Sequence, residues 1–199
     1  MTRLQTAIAA AEKGDEKQAR NVMALTREWF DRFAILWAII RHAHQTGDEG
    51  RATEVLHEAT DATKRIRAEV NRADAQIFHA TSLAQIGRID EALAYAREIP
   101  DHYAGFHAVQ ALVSIALALH KMNQSYNEVL EEAGELSKTI NEETPATAGE
   151  SPNWLGQVAL RDALFWWKQE GYLNEILPYA KKYLTDAVIM NALIREDKN

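Results

Sequence analysis

The chain contains no cysteine. Disulfides, thiolate catalysis, zinc fingers and iron–sulfur clusters are thereby excluded, because each needs a cysteine sulfur. The absence also suits a reducing compartment. Proline (4) and glycine (9) are scarce in 199 residues. A many-stranded sandwich or barrel, which needs turn residues roughly every 8–12 positions, is disfavoured by that scarcity. No apolar run reaches the roughly 18 residues of a membrane span. The start, Met1-Thr-Arg-Leu-Gln-Thr-Ala-Ile-Ala-Ala, runs straight into Glu12-Lys13-Gly14-Asp15 and lacks the long apolar centre of a signal peptide. A cytoplasmic location is therefore expected. Acids outnumber bases by 29 to 22, for a net charge of −7. Nucleic acid and anionic lipid should repel such a chain at long range, so neither is expected as a partner.

Alanine is abundant, at 33 residues, and 47% of the chain is hydrophobic. Alanine has the best helix propensity, and the apolar fraction is that of a globular chain. The length fits one domain or one array of small repeats.

A recurring mark supports the array. Gly14-Asp15, Gly47-Asp48, Gly87-Arg-Ile-Asp90, Asn123-Gln-Ser125 and Gly171-Tyr172 each precede an amphipathic helical pattern, and a longer helical pattern precedes each mark. Ala43, Leu83, Leu119 and Trp167 lie four residues before a mark. Ile40, Ala80, Ala116 and Leu164 lie seven before, and Leu36, Gln76, Leu112 and Leu160 eleven before. Those offsets share one face of a helix. Ala19, Ala52, Ala92 and Ile176 lie five residues after a mark. Phe30 and Phe33 of one unit also match Tyr103 and Phe106 of another. Each unit reads as helix, tight turn, helix. The glycine supplies a left-handed cap, and Asp15 with Gln18 resembles a capping box. Pro100 forbids helix continuation and separates two units, with a weaker echo at Leu184-Thr185-Asp186. The expected helices are 2–13, 15–27, 30–45, 48–68, 71–86, 89–98, 103–122, 125–140, 154–170, 172–183 and 186–196. Residues 141–153, with two prolines and a glycine, read as an inserted loop within a single domain, 1–199.

The stretch Gly87-Arg-Ile-Asp-Glu-Ala92-Leu-Ala-Tyr-Ala96, with Ala80 and Leu83 before it, resembles the turn and helices of the tetratricopeptide-repeat superfamily. The resemblance extends over most of residues 1–195, although the period wanders from that family's and the first-helix tryptophan is mostly unmatched. It implies an all-α fold, a right-handed α-solenoid of antiparallel helix-turn-helix repeats with about 10–11 helices. A compact helical bundle has the same physics and remains open.

The resemblance further implies a concave groove lined by the first helix of each unit. Its positions would be Trp37, Arg41, His44 and Gln45; Ile77, Thr81, Ala84 and Gln85; Val113, Leu117, His120 and Lys121; and Arg161, Phe165, Lys168 and Gln169. The set holds no acid, whereas Glu16, Glu49, Glu54, Glu58, Glu91, Glu128, Glu131, Glu132 and Glu135 fall on the other helices. The expected function is a non-enzymatic adaptor, scaffold or chaperone holding an extended acidic peptide of another protein, with Arg41 and Arg161 on carboxylates and Trp37, Leu117 and Phe165 in apolar contact. A secretion-type chaperone is a narrower version. The alternative is a helical enzyme or small-ligand protein using a pocket of tryptophan and histidine.

No chemistry-bearing motif supports the alternative. Nucleophile elbows, phosphate loops and dinucleotide fingerprints are missing. His42 with His44, and His102 with His107, are wrongly spaced to share a metal on a helix. Glu54-Val-Leu-His57 is a single Glu-x-x-His, half of what a di-metal site needs. Trp167 sits at the buried offset, so the Trp166-Trp167 pair reads as core rather than a ligand box. No cofactor or metal is expected. The last helix, 186–196, is apolar nearly all round, and either the loop 141–153 or a second copy of the chain, in a homodimer through this helix, is expected to cover it.

Overall fold

In a computed structural model of the chain, residues 2–99, 106–143 and 154–185 are described. They form ten α-helices and no strand: α1 (Arg3–Glu12), α2 (Glu16–Ala24), α3 (Trp29–Gln45), α4 (Glu49–Lys64), α5 (Glu69–Gln85), α6 (Ile89–Arg97), α7 (Phe106–Lys121), α8 (Asn127–Glu143), α9 (Trp154–Gln169) and α10 (Leu173–Tyr183). The expected helix 186–196, and the dimer through it, lie outside the described residues, as do 144–153 of the expected loop. Residues 141–143, expected in that loop, belong to α8. Contacts group the chain into two compact units, Met1–Ala75 and Gln76–Asn199, with the division inside α5.

Each of the five marks closes its helix in the same way. Gly14, Gly47, Gly87 and Gly171 have φ of 81°, 78°, 81° and 89°, and Asn123 has 56°. Only glycine, and asparagine at some cost, enters this left-handed region readily. The next N–H then reaches back to the residue four before the mark: Asp15 to Ala10 C=O (2.9 Å), Asp48 to Ala43 (2.8 Å), Arg88 to Leu83 (3.0 Å), Gln124 to Leu119 (2.9 Å) and Tyr172 to Trp167 (2.9 Å). This bond spans the Schellman turn. The five acceptor residues are buried, and so are Ala7, Ile40, Ala80, Ala116 and Leu164 three residues earlier. Ala19, Ala52, Ala92 and Ile176, five residues after a mark, are buried too. The aspartates after the first two glycines cap the following helix, Asp15 accepting from Gln18 N–H and Asp48 from Arg51 N–H. The full capping box lies elsewhere, at Thr2 and Gln5 of α1.

Two glycines three residues apart test this turn. Gly47 lies at φ 78° with open space around it, so strain alone decides a substitution. Gly47→Ala should destabilise the protein by about 1 kcal/mol. Gly50 lies inside α4, where an added Cβ would meet only Asp48 Oδ1 at 3.7 Å. Gly50→Ala should stabilise by about 0.5–1 kcal/mol. Urea midpoints of the two variants should therefore move in opposite directions; shifts of one sign would contradict the assignment.

In the first unit α3 packs against α1, α2 and α4; in the second, α7 packs against α6, α8 and α9. Both are apolar on nearly every side, as central helices must be. Phe33, Ile35, Leu36, Trp37, Ala38, Ile39, Ile40 and Ala43 are buried in α3. The polar faces of the flanking helices carry ion pairs. Arg20 of α2 grips Glu58 of α4 at 2.8 and 3.1 Å, and Arg51 of α4 returns to Glu16 of α2. Hydrogen bonding from Arg51, and from Arg20 next, holds the Glu16 carboxyl below its ordinary range against the opposing effect of burial. In the second unit Arg97 of α6 grips Glu132 of α8 with both bonds at 2.7 Å, and Lys182 of α10 pairs with Glu131. Tyr179 and Tyr183 of α10 lie so close to Gly134 of α8 that a Cβ there would come within 2.5 Å of Tyr179 Oη and 2.6 Å of Tyr183 Cζ. Tyr179 donates to Leu130 C=O and Tyr183 to Glu135 at 3.0 Å, so α10 is seated on α8 by its phenols.

Two helices end earlier than expected. α2 stops at Ala24 and α4 at Lys64, each followed by a tightened turn: Leu25 N–H to Val22 C=O (3.0 Å) and Thr26 to Met23 (3.1 Å); Arg65 to Ala62 (3.2 Å) and Ile66 to Thr63 (3.1 Å). Arg72 of α5 donates to Ile66 C=O at 3.2 Å and so satisfies a carbonyl the helix would otherwise have used.

Candidate functional site

These two helix ends, with the start of α3, border a notch of about 320 Å³ in the first unit. Arg27, Arg32 and Arg65 stand around it over Trp29, Phe33 and Ile66. Phe33 is anchored in the core at 1% exposure, and Trp29 packs edge-on against it with ring centres 6.1 Å apart. The aromatic floor is thus held by the unit's own packing, and the arginines stand at its rim in solvent. Long guanidinium side chains over apolar surface are a common arrangement for charged recognition.

The three arginines, like the exposed Arg3 and Arg67, have no partner among the described residues. None of them forms an ion pair or a side-chain hydrogen bond there. Arg20, Arg41, Arg51, Arg72, Arg88, Arg97 and Arg161 by contrast each lie within 3.9 Å of a carboxylate. No acid lines the notch. The adjoining recess shares Arg32, Ala62 and Arg65 and does hold Glu58 and Asp61. Glu58 is engaged by Arg20, and Asp61 lies 3.6 Å from Lys64 Nζ. The cap residue of α3, Glu28, makes no side-chain hydrogen bond, and Asp31 is the acid in the first turn. The lining side chains offer donors and apolar surface and no nucleophile or base, which suits binding an anion rather than transforming it.

The expected groove residues fall as follows. In the first unit Trp37 is fully buried, so its expected role as a contact for a peptide is corrected: α3 is apolar around its circumference, and the ring belongs to the core. Arg41 lies 3.9 Å from Glu12, His44 Nδ1 is 2.8 Å from Glu49, and Gln45 is exposed. In the second unit Thr81 donates to Ile77 C=O at 2.8 Å and Gln85 is exposed. Leu117 and Phe165 are half-buried, and Lys168 Nζ sits 5.5 Å from the Phe165 ring centre. Lys121 pairs with Glu170 at 2.8 Å, and Arg161 with Asp162. The chosen positions hold no acid, yet four of their bases meet a carboxylate from a position just outside the set. Exposed pairs of this kind are worth about 0–1 kcal/mol, but they neutralise the lining.

His120 stacks on Trp167 with ring centres 5.2 Å apart and meets Tyr126 at 5.0 Å and Tyr172 at 4.5 Å. Trp167 is fully buried, and its Nε1–H donates to Val113 C=O at 3.3 Å, in keeping with its expected place in the core. The rings fill one another's space. Among the described residues no group of three metal-ligating side chains forms, and no helix is long and apolar enough to cross a membrane.

Sequence reasoning picked out Phe33 for its match with Phe106 but missed the arginines around it. A signal is present in Arg27-Glu-Trp29-Phe-Asp-Arg32-Phe33, where bases and aromatics interleave at the start of a helix. Arg65 comes from the end of the next helix and is brought there only by packing. Compared with known proteins, the chain matches no family model, no curated protein and no solved structure.

Proposed function

We propose that the chain is a non-enzymatic protein-interaction module, a tetratricopeptide-like stack of helix hairpins that captures an acidic segment of another protein. The observation that carries the reading is the notch, with three arginines lacking carboxylate partners in a chain of net charge −7 whose other arginines are largely neutralised within the fold. The stacking is supported within each unit by the order of contacts. The first helix of one hairpin packs on the first of the next, α1 on α3 and α7 on α9, and the second helices are joined by ion pairs. A stack of this kind offers surface rather than an enclosed cavity, and surface suits a peptide.

The test is fluorescence anisotropy with two labelled peptides of equal length, one rich in glutamate and one rich in lysine. The glutamate peptide should bind and weaken as salt rises, because the contact is largely electrostatic. Equal binding of the two peptides, or of neither, would reject the proposal.

A further inference from the structure

We propose that the notch formed by Arg27, Arg32 and Arg65 over Trp29 and Phe33 is the anchoring site of that segment, and that it selects a carboxylate side chain next to a large apolar one. The inference rests on the reading of the chain as a binder of acidic segments, and adds where the segment docks and what it must carry.

Charge supplies the first half. The three guanidinium groups have no carboxylate partner in the fold, so an incoming anion displaces no internal ion pair. A carboxylate can take two parallel N–H bonds from one guanidinium, a geometry that ammonium groups do not offer. The apolar floor supplies the second half. Trp29 is half-buried and partly accessible, and Ile66 lies beside it. Leu25 at 75% and Phe30 at 49% exposure are two of the three large hydrophobic residues left exposed among the described residues, and both lie within two residues of Arg27 or Trp29 along the chain. A purely ionic ligand leaves this surface wet. A phenylalanine or leucine beside the acid covers it, and aromatic and arginine anchors of this kind carry most of the energy of an interface. The volume of about 320 Å³ has room for one such pair of side chains rather than a folded domain. The site also stands at the opposite end of α3 from Arg41, His44 and Gln45.

The experiment is calorimetry on the full chain with three blocked peptides: an acidic peptide with one central phenylalanine, the same peptide with alanine in place of the phenylalanine, and the same peptide with glutamine in place of every glutamate. The double variant Arg32→Gln/Arg65→Gln is the principal reagent. Both side chains are exposed and make no side-chain hydrogen bond or ion pair, so the fold should persist, and circular dichroism verifies it. Arg97→Gln, which removes a paired arginine of α6, is the control. The double variant should bind the first peptide at least about tenfold more weakly, and the control should bind it as the native chain does. The alanine peptide should also bind more weakly to the native chain, and the glutamine peptide should not bind. If the first peptide binds the double variant at native strength, the docking site is elsewhere and this inference falls while the function proposed above survives. If the native chain binds neither acidic peptide, both fall.

Discussion

Trp167→Ala should destabilise the second unit by about 3–5 kcal/mol, the range for deleting a fully buried large aromatic side chain. Trp167 has no exposed surface, and His120, Tyr126 and Tyr172 lie around it. Alanine leaves those rings facing a void, and a close-packed interior loses both the buried apolar surface and the contacts that filled it. The same substitution removes the donor to Val113 C=O, one of the ties between α9 and α7. Trp167→Phe keeps most of the volume and loses the N–H, so it should cost nearer to 1 kcal/mol. Trp166 is 42% exposed, and Trp166→Ala should stay within about 0.5 kcal/mol of the native protein. Urea unfolding of the three variants gives the ranking. Equal losses at the two neighbouring tryptophans would contradict the burial pattern on which the helix register rests.

Stability should also fall as the solution is acidified from about pH 6.5 to about pH 4. His79 of α5 is 2% exposed and stacks on Tyr95 with ring centres 4.5 Å apart. Burial, and the charge of Arg88 after it, push the imidazole down to about 4. In the unfolded chain the same group titrates near 6.5. Between these values the unfolded chain binds a proton that the folded chain refuses, so acid favours unfolding. The contribution is complete above pH 6.5 and is lost as pH falls to about 4, a change on the order of 3 kcal/mol. His79→Phe should flatten this part of the profile. Glu16 acts in the same direction at lower pH. Its folded pKa is lowered, so the stability it lends is present above the unfolded value near 4.5 and is lost below it. Measurements from pH 7 to 4.5 therefore report mainly on the histidine, and an equally steep slope in His79→Phe would reject its role.

The five Schellman turns are legible in the sequence because one residue in each must adopt a left-handed conformation, and glycine or asparagine advertises that need. The two alternate turns of the first unit are silent. Neither Leu25-Thr26-Arg27-Glu28 nor Arg65-Ile66-Arg67-Ala68 contains glycine or proline. Their helices end because the chain must reverse to bury the next apolar face, and Arg72 reaching Ile66 C=O is visible only in three dimensions. The candidate site takes Arg27, Arg65 and Ile66 from those two turns and Trp29, Arg32 and Phe33 from the start of α3, and only packing brings the two segments together. The groove residues show the converse. Their offsets were readable, but Glu12 and Glu170, one or two residues before a glycine, turn back on Arg41 and Lys121, and linear spacing does not reveal such a pairing. Trp37 was misplaced because a stripe argument assumes one dry face, and α3 is dry on nearly every side.

The most direct measurement is hydrogen exchange of the full chain with and without a saturating acidic peptide carrying one phenylalanine. Protection is expected at residues 25–33 and 62–66, where the two silent turns meet, and it should vanish when salt is raised. Protection confined to α9 and α10, or none at any residue despite saturation, would contradict the account.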